Sequence, residues 1–259
     1  MSRPPTDPIP GCRQGAATAI AVAAVAALAQ APSFAADTCS ARSAAAVPPV
    51  VELYTSEGCN SCPPADRWLS KLKSDPNVVA LAFHVDYWDR LGWKDRFASA
   101  AFTERQAQQQ ASNGARFSYT PQVVVDGRDR TDWPRIAAPV GARQPAPVAI
   151  TLARDGARIT ATVSAVERAP QRLAAYWAVT ENGHVSSVRA GENQGATLHH
   201  DFVVRDYRPV AAWAATRGTA QTLAFEPAPP AGAAGSRQIN LVVVDAANGR
   251  PVQALKIGC

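Results

Sequence analysis

The chain has 259 residues, with 26 Lys and Arg against 21 Asp and Glu, a net charge of +5, and five cysteines. That length suits two ordinary domains, and arginines scattered without a dense basic run or an interleaved aromatic ladder argue against a nucleic-acid partner. No GxSxG, HExxH or Walker pattern occurs, so hydrolase and nucleotide-binding chemistries have no support.

Residues 1–35 read as a secretory signal. Arg3 and Arg13 precede an alanine-rich apolar run at 16–29, and Ser33-Phe34-Ala35 offers a small-x-small cleavage site. The run is too short for a good membrane span, Cys12 lies ahead of it, and Cys39 lacks the Leu and small residues that precede a lipoprotein cysteine. The expectation is a periplasmic or secreted product, free of the membrane after cleavage, with a net charge of +4. Cys39, Cys59, Cys62 and Cys259 remain, and an even number in an exported chain points to disulfides, with three possible connectivities. The economical pairing joins Cys59 to Cys62 and Cys39 to Cys259. The second bond would tie one end of the mature chain to the other, worth roughly 4–5 kcal/mol in the chain-entropy account. The alternative is a free thiol at Cys39 or Cys259 on a loose terminus.

Residues 36–47 are rich in Ala and Ser and are expected to be mobile until Pro48-Pro49. The apolar run at 50–54 predicts a buried strand; a turn follows, then Cys59-Asn60-Ser61-Cys62, then Pro63-Pro64 opening a helix to about Lys73. A CxxC between strand and helix is the redox arrangement, because unsatisfied N–H groups and the positive end of the helix dipole favour a thiolate over a thiol. Cys59 is then the nucleophile and Cys62, one turn on, its resolving partner. Residues 78–83 form a second apolar strand, and the βαβ connection predicts that the two run parallel. The second strand ends in residues 84–95 (HVDYWDRLGWKD) on the edge that carries the CxxC turn. Residues 98–113 have helical composition with Gly114 as a stop. Thr120-Pro121 leads into a strand at 122–125, Asp126-Gly127 makes a tight hairpin, 128–131 returns as an edge strand, and Asp132 caps a closing helix to about Val140. Gln144-Pro145-Ala146-Pro147 reads as a linker. Beyond it, short alternating segments at 148–154, 158–166, 173–180, 197–205, 222–226 and 239–245 predict a β-rich, sandwich-like second domain at 144–259.

The CxxC at a helix start, followed by Thr-Pro-Gln and Val-Val-Val-Asp-Gly, resembles the thioredoxin fold and especially the glutaredoxins. The resemblance implies an α/β thioredoxin-like domain at 48–143, a mixed sheet with flanking helices, and a cis Thr120–Pro121 bond lying against the CxxC disulfide. VELYTSEGCNSCPPAD, FHVDYWDRLGWKD, YTPQVVVDG and RAGENQGATLHHDFVVRDY together resemble an uncharacterised family of secreted bacterial proteins, domain of unknown function 1223. The departures are a Glu57-Gly58 pair where thioredoxins place Trp, and Asn-Ser between the cysteines. Thioredoxins carry a buried acid on the strand before the CxxC that helps move protons; Glu52 is the nearest candidate here, one residue further from Cys59.

Pro121 and Thr120 are expected to shape a partner groove, with Trp88 as an aromatic wall and His84 and Asp86 at its base. His84 could also stabilise the thiolate. The bland reading makes residues 86–93 a structural loop, with Asp86 and Asp89 capping turns. Two further readings compete with exchange chemistry on protein thiols or disulfides. One is a soft-metal carrier, copper above all, held by Cys59, Cys62 and His84; the other is a non-catalytic protein stapled by the CxxC. The exchange reading itself requires no cofactor. Residues 191–195 lack phosphate-loop spacing and read as a tight turn, while His199 and His200 face opposite sides of a strand.

Overall fold

The computed structural model describes residues 1–2, 38–136, 143–230 and 235–259, so the secretory signal read at 1–35 lies, apart from Met1 and Ser2, outside the described residues. In chain order the strands are β1 (Thr38–Arg42), β2 (Val50–Thr55), β3 (Val79–His84), β4 (Gln122–Val125), β5 (Arg128–Asp129), β6 (Val148–Asp155), β7 (Arg158–Ala165), β8 (Arg172–Glu181), β9 (His184–Ser187), β10 (Thr197–His200), β11 (Val203–Ala214), β12 (Ala220–Phe225), β13 (Arg237–Asp245) and β14 (Pro251–Ile257). The helices are α1 (Pro63–Ser70), extended by a 3-10 turn at Lys71–Ser74, and α2 (Ala100–Ser112).

Sequence and structure agree on how the first half is wound. β2 and β3 are wholly buried and parallel, Val50 opposite Val79, with α1 as their crossover. β4 runs antiparallel to β2, and Asp126 (φ 52°) and Gly127 (φ 76°) turn it tightly into β5. α2 begins where the Ser99 side chain accepts from the Ala101 N–H, an N-cap that satisfies one orphan donor. Asp132 caps no helix: a 3-10 turn at Trp133–Arg135 follows it, its carboxylate is held by Arg130, and residues 137–140 lie outside the described residues.

The expected boundary at 143/144 does not separate two sheets. One eight-stranded sheet runs β14-β13-β8-β11-β3-β2-β4-β5, drawing strands from both sides of that point, and the described residues from Thr38 on form one compact unit. The join is narrow: Val203 of β11 lies parallel beside Ala82, whose N–H donates to the Phe202 carbonyl at 2.8 Å. Phe202 also explains why the segment expected at 197–205 is two strands. Its φ of 56° breaks the extended backbone, a conformation stabilised where its N–H donates to Asn182 Oδ1 at 2.7 Å.

The expected sandwich-like second domain is not set apart: a second sheet packs on one face of this shared sheet. A four-stranded sheet, β1-β6-β7-β12, packs Val148, Ile150, Leu152, Ile159, Ala161 and Val163 against Trp177, Leu241 and Val243. α1 covers the same face further along, over Leu53, Ala82 and Val123, while α2 covers the opposite face over Phe83, Tyr54 and Tyr176. Residues 38–42, expected to be mobile, form β1 against β6, and 45–47 pair with the supposed linker at 144–146. The Cys39–Cys259 disulfide fastens this edge across a separation of 220 residues.

Candidate functional site

Cys59 and Cys62 are joined as a disulfide with Cα atoms 5.4 Å apart, at the turn from β2 into α1. Cys62 is the N-cap of α1: its carbonyl accepts from the Ala65 N–H at 2.8 Å, so the sulfurs stand where helix N–H groups and dipole favour negative charge. Ser61 Oγ lies 3.4 Å from Cys59 Sγ. The Thr120–Pro121 bond is cis, as the resemblance implies. Trp88 links that bond to the CxxC turn: its indole N–H donates to Thr120 Oγ1 at 2.9 Å, and a Cβ at Gly58 would come within 3.0 Å of the Trp88 Cβ.

A second segment, distant in sequence, sits on the same turn. β9 and β10 form a hairpin separate from both large sheets. From its tip Asn193 Nδ2 donates to the carbonyls of Glu57 and Cys59, each at 2.9 Å, and Glu192 Oε2 accepts from the Asn60 N–H at 3.1 Å. Both cysteines are 0% exposed.

Beneath the turn lies a buried cluster of acids and imidazoles. His84 Nδ1 and Asp95 Oδ2 are 2.7 Å apart, and the same oxygen accepts the Glu57 N–H at 2.9 Å. Burial pushes the Asp95 carboxyl up, but the His84 charge and hydrogen bonds from His84, Glu57 and Phe97 outweigh it and hold it at about 2. Burial lowers His84, yet the charge and hydrogen bond of Asp95 together with the Asp66 and Glu57 charges outweigh it, so the imidazole binds its proton more tightly than usual. Glu57 is wholly buried two residues before Cys59. Its Oε2 accepts from the Trp93 indole at 2.7 Å and its Oε1 lies 3.5 Å from His200 Nε2. Burial raises the Glu57 carboxyl, and His200, Ser186 and Trp93 draw it below its ordinary value. Asp66, four residues beyond Cys62, is buried and receives Thr55 Oγ1 at 3.2 Å. Burial drives it up further than His200 and His84 bring it down.

The expected residues are only partly brought together. Cys59, Cys62, Thr120 and Trp88 share one place, whereas His84 is fully buried below it and lines no surface groove. Asp86 turns away, accepting from Thr103 of α2 at 2.6 Å; the true partner of His84 is Asp95. Glu52 is corrected more sharply. Strand alternation places it with Tyr54 on the α2 face, opposite the face that α1 covers. There it is ion-paired with Arg105 and accepts from Tyr176, Tyr54 (3.0 Å) and Gln109 (2.9 Å). Burial pushes its carboxyl up, and the Arg105 charge with these hydrogen bonds brings it below the ordinary range. The buried acids on the CxxC side are Glu57, Asp66 and Asp95. Nor is the proposed soft-metal site assembled: the two sulfurs are bonded to each other, and among the described residues no group of three or more His, Cys, Asp or Glu is set to hold a metal ion.

An α/β protein with a CxxC disulfide at a helix N-terminus is thus defined by its own geometry. The chain belongs to a family described as proteins of unknown function (DUF1223), whose profile matches residues 50–244. It is similar to the crystal structure of protein AGR_C_4864 from Agrobacterium tumefaciens, with 27% identity and a TM-score of 0.60 over 82% of this chain and 94% of that one. It is also similar to HBP35 of Porphyromonas gingivalis, at 14% identity and a TM-score of 0.58 over 83% of this chain and 76% of that one, a likeness of fold alone. No curated protein matches the chain.

Proposed function

We propose that this chain is an exported thiol–disulfide exchange protein built on a thioredoxin-like unit. The observation that carries the reading is the Cys59–Cys62 disulfide at the N-terminus of α1, in a β2-α1-β3 unit whose strand order is β3-β2-β4-β5. In the reduced form the Cys59 thiolate attacks one sulfur of a partner disulfide, forming a mixed disulfide and releasing one partner thiolate. Cys62 loses its proton and attacks Cys59, restoring the Cys59–Cys62 bond and releasing the second partner thiolate. Two electrons pass from the chain to the partner, and the reverse sequence oxidises a partner dithiol. We assign Asp66, buried and one helical turn beyond Cys62, as the carboxylate that takes the Cys62 proton. The partners are protein thiols or disulfides in an oxidising compartment, which two disulfides in one chain suit.

Cys59→Ser is expected to abolish exchange with a peptide disulfide, and Cys62→Ser to accumulate a mixed disulfide visible by mass spectrometry. Retention of exchange in Cys59→Ser would overturn the reading. The full burial of both sulfurs favours a second one, in which the bond only staples the turn; under it neither variant changes any reaction with partners.

A further inference from the structure

A sulfur takes part in exchange only if another sulfur can approach it along the S–S axis, and access is among the factors that set the rate. Cys59 is 0% exposed, although its neighbours Asn60 and Ser61 are at the surface. The CxxC turn itself is therefore open to solvent while its nucleophile is not. The segment hydrogen-bonded across that turn is the tip of the β9–β10 hairpin. Asn193 donates to the carbonyls of Glu57 and Cys59, on either side of Gly58, and Glu192 accepts from Asn60. Gly191 (φ 73°) and Gly195 (φ 86°) bracket these two side chains, both in the left-handed region that glycine adopts without strain. The hairpin body is anchored independently of the tip: His200 and Leu198 are buried, and Arg96 Nη2 donates to the Val185 carbonyl at 2.9 Å. The hairpin body is fixed, glycines stand at both ends of the tip, and the side-chain hydrogen bonds of Glu192 and Asn193 go to the CxxC turn, although Gly191 also lies against Trp93 and the Gly195 N–H donates to the Val188 carbonyl.

We propose that residues 191–195 gate the Cys59–Cys62 disulfide, with Asn193 as the latch. The gate deepens the exchange reading and rests on it for its purpose, but its geometry can be tested without any partner. Closed, the tip holds the Glu57 and Cys59 carbonyls and Cys59 is out of reach. Open, those carbonyls turn to water or to the N–H groups of an incoming polypeptide, and Cys59 becomes attackable. Asn193 is a positioning residue: it touches no reacting atom and acts through the backbone of the turn.

The test is the rate at which excess tris(2-carboxyethyl)phosphine reduces Cys59–Cys62 in the full chain, followed by alkylation and peptide mass spectrometry. Cys39–Cys259 in the same molecule serves as the internal reference. Each phosphine takes up one sulfur–sulfur bond, giving two thiols and a phosphine oxide with water as the oxygen source. Loss of two hydrogen bonds is expected to raise the rate for Cys59–Cys62 roughly tenfold in Asn193→Ala. The rate at Cys39–Cys259 and the Cys59–Cys62 reduction potential stay unchanged, because a gate that covers both redox states alters kinetics and not equilibrium. Asn193→Asp, which keeps the side-chain size but cannot donate, should match it, and Glu192→Gln, which keeps an acceptor, should stay within about twofold of the wild type. Wild-type rates in both Asn193 variants would overturn the gate, as would equal acceleration of the two disulfides, which marks general loosening. The exchange reading fails separately, if the potential is too low for any thiol pool to reduce the bond.

Discussion

At the scale of single residues, the site is supported by buried charge whose protonation is predictable in sign. His84 is raised above its ordinary 6.5, so its contribution is complete below pH 6.5 and is lost as the pH rises through the folded value. Asp95 is lowered from 3.8 to about 2, so its contribution is complete above pH 3.8 and is lost as the pH falls toward 2. The pair thus stabilises most between those limits. Asp95→Asn is expected to cost about 3 kcal/mol at pH 5.5, since it leaves a buried imidazole without its counter-charge. It should also flatten the decline in stability between pH 6.5 and 9, measured by urea unfolding; an unchanged alkaline decline would contradict the assignment. Glu52→Gln should cost a similar ~3 kcal/mol by stranding Arg105, yet leave the reduction rate of Cys59–Cys62 unaltered. A changed rate would return Glu52 to the redox chemistry. Here the sequence was half legible: period-two alternation already sets Glu52 beside Tyr54 and apart from Leu53, but nothing local says which face α1 will cover. His200 offered the same kind of signal, two residues from buried Leu198 and so on the same face of its strand. Its approach to Glu57, from the far end of the chain, had no local trace.

Among the elements, the CxxC turn, α1, the parallel pair β2–β3 and the Asp126–Gly127 hairpin were readable because each is decided by neighbours within a few residues. The β9–β10 hairpin was not. Residues 191–195 look like a turn from sequence alone, and only the fold brings Asn193 to the carbonyls of Glu57 and Cys59, more than 130 residues away. β1 was hidden by its Ala and Ser content, which signals a loose tail until β6 supplies an edge to pair with. That edge is where the Cys39–Cys259 bond lies, and the closure of a loop this long is worth about 5 kcal/mol. The double variant Cys39→Ser, Cys259→Ser should lose stability of that order in thermal or urea unfolding while Cys59–Cys62 exchange continues. Loss of exchange together with the tether would show that the terminal bond serves the site directly.

For the whole molecule, the change of composition near residue 143 marks a change of partners within one sheet. β8, β11, β13 and β14 continue the sheet that carries the CxxC, and Tyr176, Val204 and Val242 complete the apolar cluster of Tyr54, Phe83 and Phe102. Unfolding should therefore show one calorimetric transition rather than two, and two separable transitions would contradict a shared core. The shared sheet also explains how a hairpin inserted between β8 and β11 comes to lie over the CxxC turn. The claim on which the functional account turns is that Cys59–Cys62 is a working redox pair. Its reduction potential in glutathione and dithiothreitol buffers, read by alkylation and mass spectrometry of the 59–62 peptide, tests that claim most directly. A working exchange pair has a value between about −120 and −270 mV, the range of exchange proteins. A value below about −300 mV would make the bond a staple and contradict that claim.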